Sequence, residues 1–495
     1  MPAQKFHVST IFVITCIMLQ YENCNTSSTY RQGNPYAIES ATTRTIRRNA
    51  DAEWTVMLYM AARNNLAPFA ASNLQDIANA GTCDKVNVVA QWDQPNKKGA
   101  WRYTIKNKKV NLDHYINVQH PTDLTENLVN FVAWAVQNYP AKKYCLILWN
   151  HGVGALDPIF GDPLRLFMQN RDLLNTSSSE LTIDDFFSSC FADNQLLADL
   201  ENQEGNENIS RGILFDDDNK TYLTNKDLKR ALEEITSPAI LGKKLDCLGF
   251  DACFMSMLEI AYQVKDYAAY MVASEELELA KGWNYGYFFS RLLERCTRTG
   301  QEAARDIVHG FHEYYKGRTQ LFTQSAIDLS KINTLVDHHD KIVLALQTCM
   351  KIHGKKIILA LAKARKSCLQ FSAKFYIDLH SFYKNLLLKV LTEDGFAKVN
   401  NVGSEQNILM YEVSFLKAKG YDENILNLVQ KLKDGMRTIE QTVIDNVCSN
   451  HFNEAKGLSI YFPITRTIDP SYNNTEFAQK SLWRKFLDII CEILQ

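Results

Sequence analysis

Two short stretches constrain this chain most strongly. Tyr144–Trp149 reads YCLILW and Leu245–Phe250 reads LDCLGF, with almost no polar residue in either. A strand with one wet face alternates, whereas an unbroken apolar run of this length suits a strand covered on both faces. The surrounding pattern agrees. Strand-like stretches at Trp54–Met60, Val86–Trp92 and Tyr270–Ala273 alternate with helical periodicity at Leu124–Gln137, Leu228–Ile235 and Ser256–Val264. Tyr103–Ile105 and Val110–Leu112 suggest a short hairpin. Strands alternating with helices imply an α/β fold, a mostly parallel sheet flanked by helices. From about residue 291 the pattern turns mainly helical, until a strand is expected at Gly457–Pro463 and a closing helix at Phe477–Leu494.

The division expected from this pattern is a main α/β domain over 52–290 and a largely helical C-terminal region over 291–495. A chain of 495 residues has room for two or three domains. With 46% hydrophobic and 22% charged residues it is globular rather than disordered. The net charge of −2 offers no basic field for nucleic acid. Lys5 followed by the apolar run Val8–Leu19 and the polar stretch Gln20–Thr29 has the form of a secretory signal, ending near residue 24. The run is short for a membrane span, and no later stretch is long and apolar enough for one. A buried helix is the alternative. Export to the periplasm, cell surface or medium is therefore expected. Cys24 would be a lipid attachment point only against the grain of Tyr21, Glu22 and Asn23, which are not small. Residues 25–51 read as a linker or propeptide. The 12 cysteines are irregularly spaced with no CxxC pair, so no zinc ribbon or dithiol redox motif is expected.

Ligands of open parallel sheets sit beyond the carboxyl ends of the strands. Two reactive residues stand at such ends: His151 after YCLILWN and Cys253 after LDCLGFDA. A thiol needs a base or a positive field to become a thiolate, and imidazole commonly supplies it. Gly152 has no side chain to obstruct a carbonyl. Its N–H, with that of Cys253, would suit an oxyanion hole. Singly, a cysteine after an apolar strand reads as a small buried hydrophobe and a His-Gly pair as a turn; the two together at strand ends make a nucleophile and base a real alternative. Asp251, two residues before Cys253, stands at the same strand end and has the form of a cap for the helix expected from Ser256. Asp216–Asp218 lack EF-hand spacing and read as a solvated turn, and His309 with His312 lack a third ligand, so no metal site is assigned.

Seven strings in order resemble the clostripain family of cysteine peptidases: WTVMLYMAARNNL from Trp54, LILWNHG from Leu146, RGILFDDDNKTYLTNKDL from Arg211, LGFDACFMSMLEIAYQV from Leu248, YMVASEE from Tyr270, GWNY from Gly282 and GLSIYFP from Gly457. The resemblance implies a caspase-like fold related to gingipains and legumain. It implies a thiol endopeptidase with a dyad of His151 and Cys253, and cleavage after Arg or Lys in protein and peptide substrates. Asp251 would then receive the basic side chain, with Glu275 and Glu276 adding charge at the pocket rim. Lys281, where the family often has Pro-Gly before Gly-Trp, would oppose such a substrate. No cofactor is required by the sequence; calcium is implied by the resemblance alone. It also implies a zymogen whose polar interval 155–210 is cut after a basic residue, Arg165 or Arg171 before Arg211, leaving two associated chains. The other readings are a noncatalytic peptide-binding relative, and a transpeptidase or asparaginyl-specific peptidase on the same fold.

Overall fold

The computed structural model describes residues 51–116, 123–156, 212–319, 321–392, 409–463 and 468–494. Residues 1–50, with the expected signal and Cys24, lie outside them, as do Arg165, Arg171 and Arg211.

The main sheet has nine strands: β1 (Trp54–Ala61), β2 (Val86–Asp93), β3 (Ala100–Lys106), β4 (Lys109–Ile116), β5 (Lys143–Trp149), β8 (Cys247–Asp251), β9 (Tyr270–Ala273), β10 (Thr323–Asp328) and β12 (Val443–Cys448). Their order is β12-β10-β9-β8-β5-β1-β2-β3-β4. The five central strands, β9 to β2, run parallel. Each flank carries an antiparallel pair, β10–β12 on one side and β3–β4 on the other. Every residue of β1 and β8 is buried, as their unbroken apolar runs require. The outermost β4 is half exposed and begins with a lysine, which discourages further strand addition.

Two smaller pairs complete the strands. β6 (Gly212–Asp216) and β7 (Thr221–Thr224) form a hairpin, and β11 (Tyr376–Asp378) pairs with β13 (Ser459–Tyr461). Helices pack on the sheet, among them α1 (Ala67–Ala80), α2 (Leu124–Asn138), α3 (Asn225–Thr236), α4 (Leu258–Val264) and α5 (Tyr285–Glu294). Caps delimit several of them. Asp123 accepts from the N–H groups of Thr125 and Glu126 to start α2, and the Thr224 side chain accepts from Asp227 to start α3.

The expected border at residue 290 falls inside one sheet. β10 and β12 come from the region read as helical, and Asn49–Gln495 is one packing unit. Polarity hid β10. β10 reads TQSAID, yet Thr323 and Ser325 are buried, bonding Ser274 Oγ at 3.0 Å and Ser256 Oγ at 2.9 Å. A buried hydroxyl with a partner costs little, so such a strand lacks the apolar signature. Gly457–Pro463 shortens to β13, outside the main sheet. The closing helix is broken at extended Ser481 into Glu476–Lys480 and Trp483–Leu494.

The C-terminal segment reaches back to the end of β8. Ser459 N–H and Oγ both donate to Ser256 O, at 2.9 and 3.0 Å, and Tyr461 N–H donates to Glu259 at 2.9 Å. The loop 253–257 is thus held from both sides. Gly249, in the middle of β8, makes room for the Trp283 ring: a Cβ there would stand 2.5 Å from ring carbon Cη2. Gly249→Val is expected to destabilise the fold by about 1–3 kcal/mol through overpacking. A lowered urea midpoint checks this, and an unchanged midpoint would mean that the Trp283 contact is not tight.

Candidate active site

The parallel register of β5 and β8 builds this site. Cys145 pairs with Cys247 and, four residues on, Trp149 pairs with Asp251; Asn150 N–H then donates to Asp251 O at 3.2 Å. His151 and Cys253 therefore leave adjacent strands at matching heights. Both line one cleft, with Trp149, Asp251, the 277–280 loop and Gly282.

His151 is 8% exposed, and its Nε2 lies 2.8 Å from Asn65 Oδ1. A carboxamide oxygen only accepts, so this bond places the ring proton on Nε2 and leaves Nδ1 unprotonated in the neutral imidazole. Asn65 sits just past the end of β1. Its neighbour Asn64 donates to Asn150 Oδ1 at 3.0 Å and to Phe215 O at 2.9 Å, tying the ends of β1, β5 and β6 together. Phe215 meets the imidazole edge-on.

Cys253 is 6% exposed, and its sulfur accepts a bond from Glu278 N–H at 3.1 Å. The next residue, Phe254, has φ of 60°, the left-handed conformation that turns the chain sharply after the strand. This bend is why the helix expected from Ser256 starts only at Leu258. Gly152 lies against the same turn: an added Cβ would be 2.7 Å from Cys253 O and 3.1 Å from Met255 Cγ. Only glycine allows the histidine and cysteine loops to approach this closely.

Asp251 is buried at the cleft, and its Oδ2 accepts from Tyr285 Oη at 2.6 Å and Trp283 N–H at 3.2 Å. Burial pushes its carboxyl up to about 7, against the lowering effect of those two bonds. It is not a helix cap, since Met257 holds the cap position of α4. At Gly282, φ is 68° and a Cβ would stand 2.7 Å from Asp251 Oδ2, so glycine is needed for both backbone and space.

Three expectations change. Glu275 and Glu276 are not at a pocket rim; both are fully buried. Glu275 accepts from Gly457 N–H at 2.9 Å, and Glu276 accepts from Leu277 and Ser372 N–H at 2.7 and 2.8 Å. The C-terminal segment covers Glu275 through Gly457, a contact 182 positions away in sequence. Lys281 does not oppose a basic ligand: it turns away to Asp76, at 2.7 Å. The acidic turn is not merely solvated. Asp216 bonds Arg63 at 3.2 Å and Asn219 N–H at 2.9 Å, and Asp218 accepts from Asn96 N–H at 2.8 Å. With a guanidinium on one of its oxygens, this turn does not fit a calcium ion. His309 instead pairs with Asp445 at 2.8 Å, and the described residues hold no cluster of three His, Cys, Asp or Glu placed for a metal. Sequence reasoning missed Asn65 and the backbone of Glu278. The Asn-Asn pair closing the apolar β1 was the one visible hint.

A thiol and an imidazole at adjoining ends of a five-stranded parallel core, flanked by antiparallel pairs, define the caspase-like α/β fold. The chain belongs to the clostripain family, whose model matches residues 58–159 and 199–489. It is 23% identical to clostripain of Hathewaya histolytica over 325 residues, 58% of this chain, and spans about half (51%) of that relative's length. Solved structures share the fold. An inactive zymogen C11 protease from Parabacteroides distasonis matches with TM-score 0.51 and 17% identity, over 87% of this chain and 98% of that one. A secreted C11 cysteine protease from Bacteroides thetaiotaomicron, solved with an irreversible peptide inhibitor, matches with TM-score 0.52 and 16% identity, over 88% and 99%. Among the described residues no helix is long and apolar enough to cross a membrane.

Gly152→Ala is expected to slow alkylation of Cys253 by iodoacetamide about tenfold or more, equivalent to about 1.4 kcal/mol of barrier, with little change in far-UV circular dichroism. An unaltered rate would show that the two loops do not depend on their close approach.

Proposed function

We propose that the chain is an endopeptidase that cleaves after arginine, and secondarily lysine, with Cys253 as nucleophile and His151 as base. The supporting observation is the shared cleft in which Cys253, His151 and the buried carboxylate of Asp251 meet. His151 Nδ1 takes the thiol proton, Cys253 attacks the scissile carbonyl, and the same nitrogen then protonates the leaving amine. Asn65 is a positioning residue, holding the opposite ring nitrogen. The N–H groups of Gly152 and Cys253 receive the oxyanion. Water afterwards releases the acyl group from sulfur.

Asp251 gives the specificity. A guanidinium entering the cleft meets a carboxylate fixed by Tyr285 and Trp283, while Lys281 is held aside by Asp76. The chain is further proposed to be exported, on the apolar run Val8–Leu19, and to be a zymogen cut within 155–210 after Arg165 or Arg171. The two pieces would stay together because strands from both share one sheet.

Fluorogenic peptides differing only before the scissile bond test the specificity. Asp251→Asn is expected to lower kcat/KM for arginine by two to three orders of magnitude, since breaking a buried charge pair costs about 3–5 kcal/mol, while iodoacetamide still reaches Cys253. The sign of the pH dependence follows from burial of Asp251. Its carboxyl is protonated below about 7 and cannot pair then, so KM for an arginine peptide should fall as pH rises through about 7. This dependence should vanish in Asp251→Asn. Equal cleavage after arginine and leucine by the wild type would sink the assignment.

Processing is read on a reducing denaturing gel. Wild type should give two fragments, the second beginning after Arg165 or Arg171, and Cys253→Ala should stay whole. A fully active wild type that remains one chain would refute this activation step.

A further inference from the structure

Far from the cleft, at the end of the sheet where the parallel strands begin, two thiols face each other. Cys83 lies in the turn between α1 and β2, and Cys296 in the turn just after α5. Their sulfurs are 3.1 Å apart, although 213 positions separate them in sequence, and both residues are partly exposed. Two rigid elements bring them together: α1 and α5 lie side by side, and the turns around them are anchored independently. Trp54 Nε1 donates to Arg298 O at 3.2 Å and Lys143 Nζ to Thr297 O at 3.3 Å, which fixes the 296–298 turn against β1 and β5. The only other facing thiols among the described residues, Cys145 and Cys247 in the β5–β8 register, are fully buried and unreachable by an oxidant.

We propose that Cys83 and Cys296 form a disulfide that binds the histidine-bearing half of the chain to the cysteine-bearing half. The bond forms by exchange with a disulfide of the glutathione or oxidoreductase type. One protein thiolate displaces a thiol from the reagent to give a mixed disulfide, and the second thiolate displaces the other. The protein pair loses two hydrogens and the reagent is reduced to two thiols. Burial, and then the neighbouring Cys83 thiol, push Cys296 up to about 11, so Cys296 is a weak attacking group near neutral pH. An oxidising compartment would keep the bond, and closing so long a loop restricts the unfolded chain strongly. The consequence for a cut enzyme rests on the processing proposed above. A break anywhere in 155–210 leaves Cys83 and His151 on one fragment and Cys253 and Cys296 on the other, so this bond would join them covalently.

The test separates the two ideas. Full-length Cys253→Ala protein, which cannot cut itself, is treated with oxidised glutathione at pH 8.5, alkylated, digested without reduction and mapped by mass spectrometry. A linked peptide pair containing Cys83 and Cys296, lighter than the sum by two hydrogens, is expected. Recovery of both cysteines singly alkylated, or only as glutathione adducts, would overturn the proposal. Processed wild type is then run with and without reductant. One band that splits in two on reduction supports the link, whereas two bands under both conditions contradict it. A single band under both conditions refutes the processing and leaves the mapping to decide the bond. Cys83→Ser and Cys296→Ser should each abolish the linked peptide while leaving peptide hydrolysis within about twofold of wild type, because neither turn touches the cleft.

Discussion

The whole arrangement hangs on the parallel ladder between β5 and β8. Its register sets Trp149 opposite Asp251, and every later placement follows from that. A slip by one residue would turn each side chain to the other face of the sheet. His151 and Cys253 would then project to opposite sides. The apolar residues Leu146, Ile147, Leu148, Leu248 and Phe250, all fully buried, prevent such a slip because each already fills a place between the sheet and a helix layer.

Beyond the strand ends, polar groups take over from apolar packing. The loops bearing His151 and Cys253 are fixed by named bonds: Asn64 and Asn150 on one side, the Glu278 N–H on the other, and Ser459 behind. Buried carboxylates serve the same end. Glu275 and Asp378 hold the consecutive N–H groups of Gly457 and Lys456, at 2.9 and 2.7 Å, so the C-terminal segment is clamped against the loop that follows Cys253. Burial is the first cause pushing both acids upward, Asp378 to about 6 and Glu275 well above its usual range. The C-terminal region is in this sense part of the site's scaffold rather than an appendage.

How much of this could be read from the residues follows from the kind of force involved. The central strands were legible because burial on both faces leaves an apolar run, and Tyr144–Trp149 differs from the observed β5 by one residue. The proximity of His151 and Cys253 was legible because both stand at the ends of such runs. β10 and β12 were not: the buried polar residues of β10 bond Ser274 and Ser256 and carry no hydrophobic period, and β12 is only partly buried along its length. The fates of Glu275, Glu276 and Lys281 depended on partners up to 205 residues away, in Gly457, Ser372 and Asp76. No local pattern announces such partners. Asn65 was written in the sequence, but its role appears only when the end of β1 is set beside the end of β5.

The proposed chemistry rests on one thiol activated by one imidazole. Its most direct measurement uses a peptidyl-arginine acyloxymethyl ketone, which alkylates a nucleophilic thiolate only where the arginine binds. Wild type, His151→Ala and Asp251→Asn proteins are treated at pH 7 and mapped by mass spectrometry. A single adduct at Cys253 is expected in the wild type, with loss of most labelling in either variant. An adduct on a different cysteine, or equal labelling of Cys253 without His151, would contradict it.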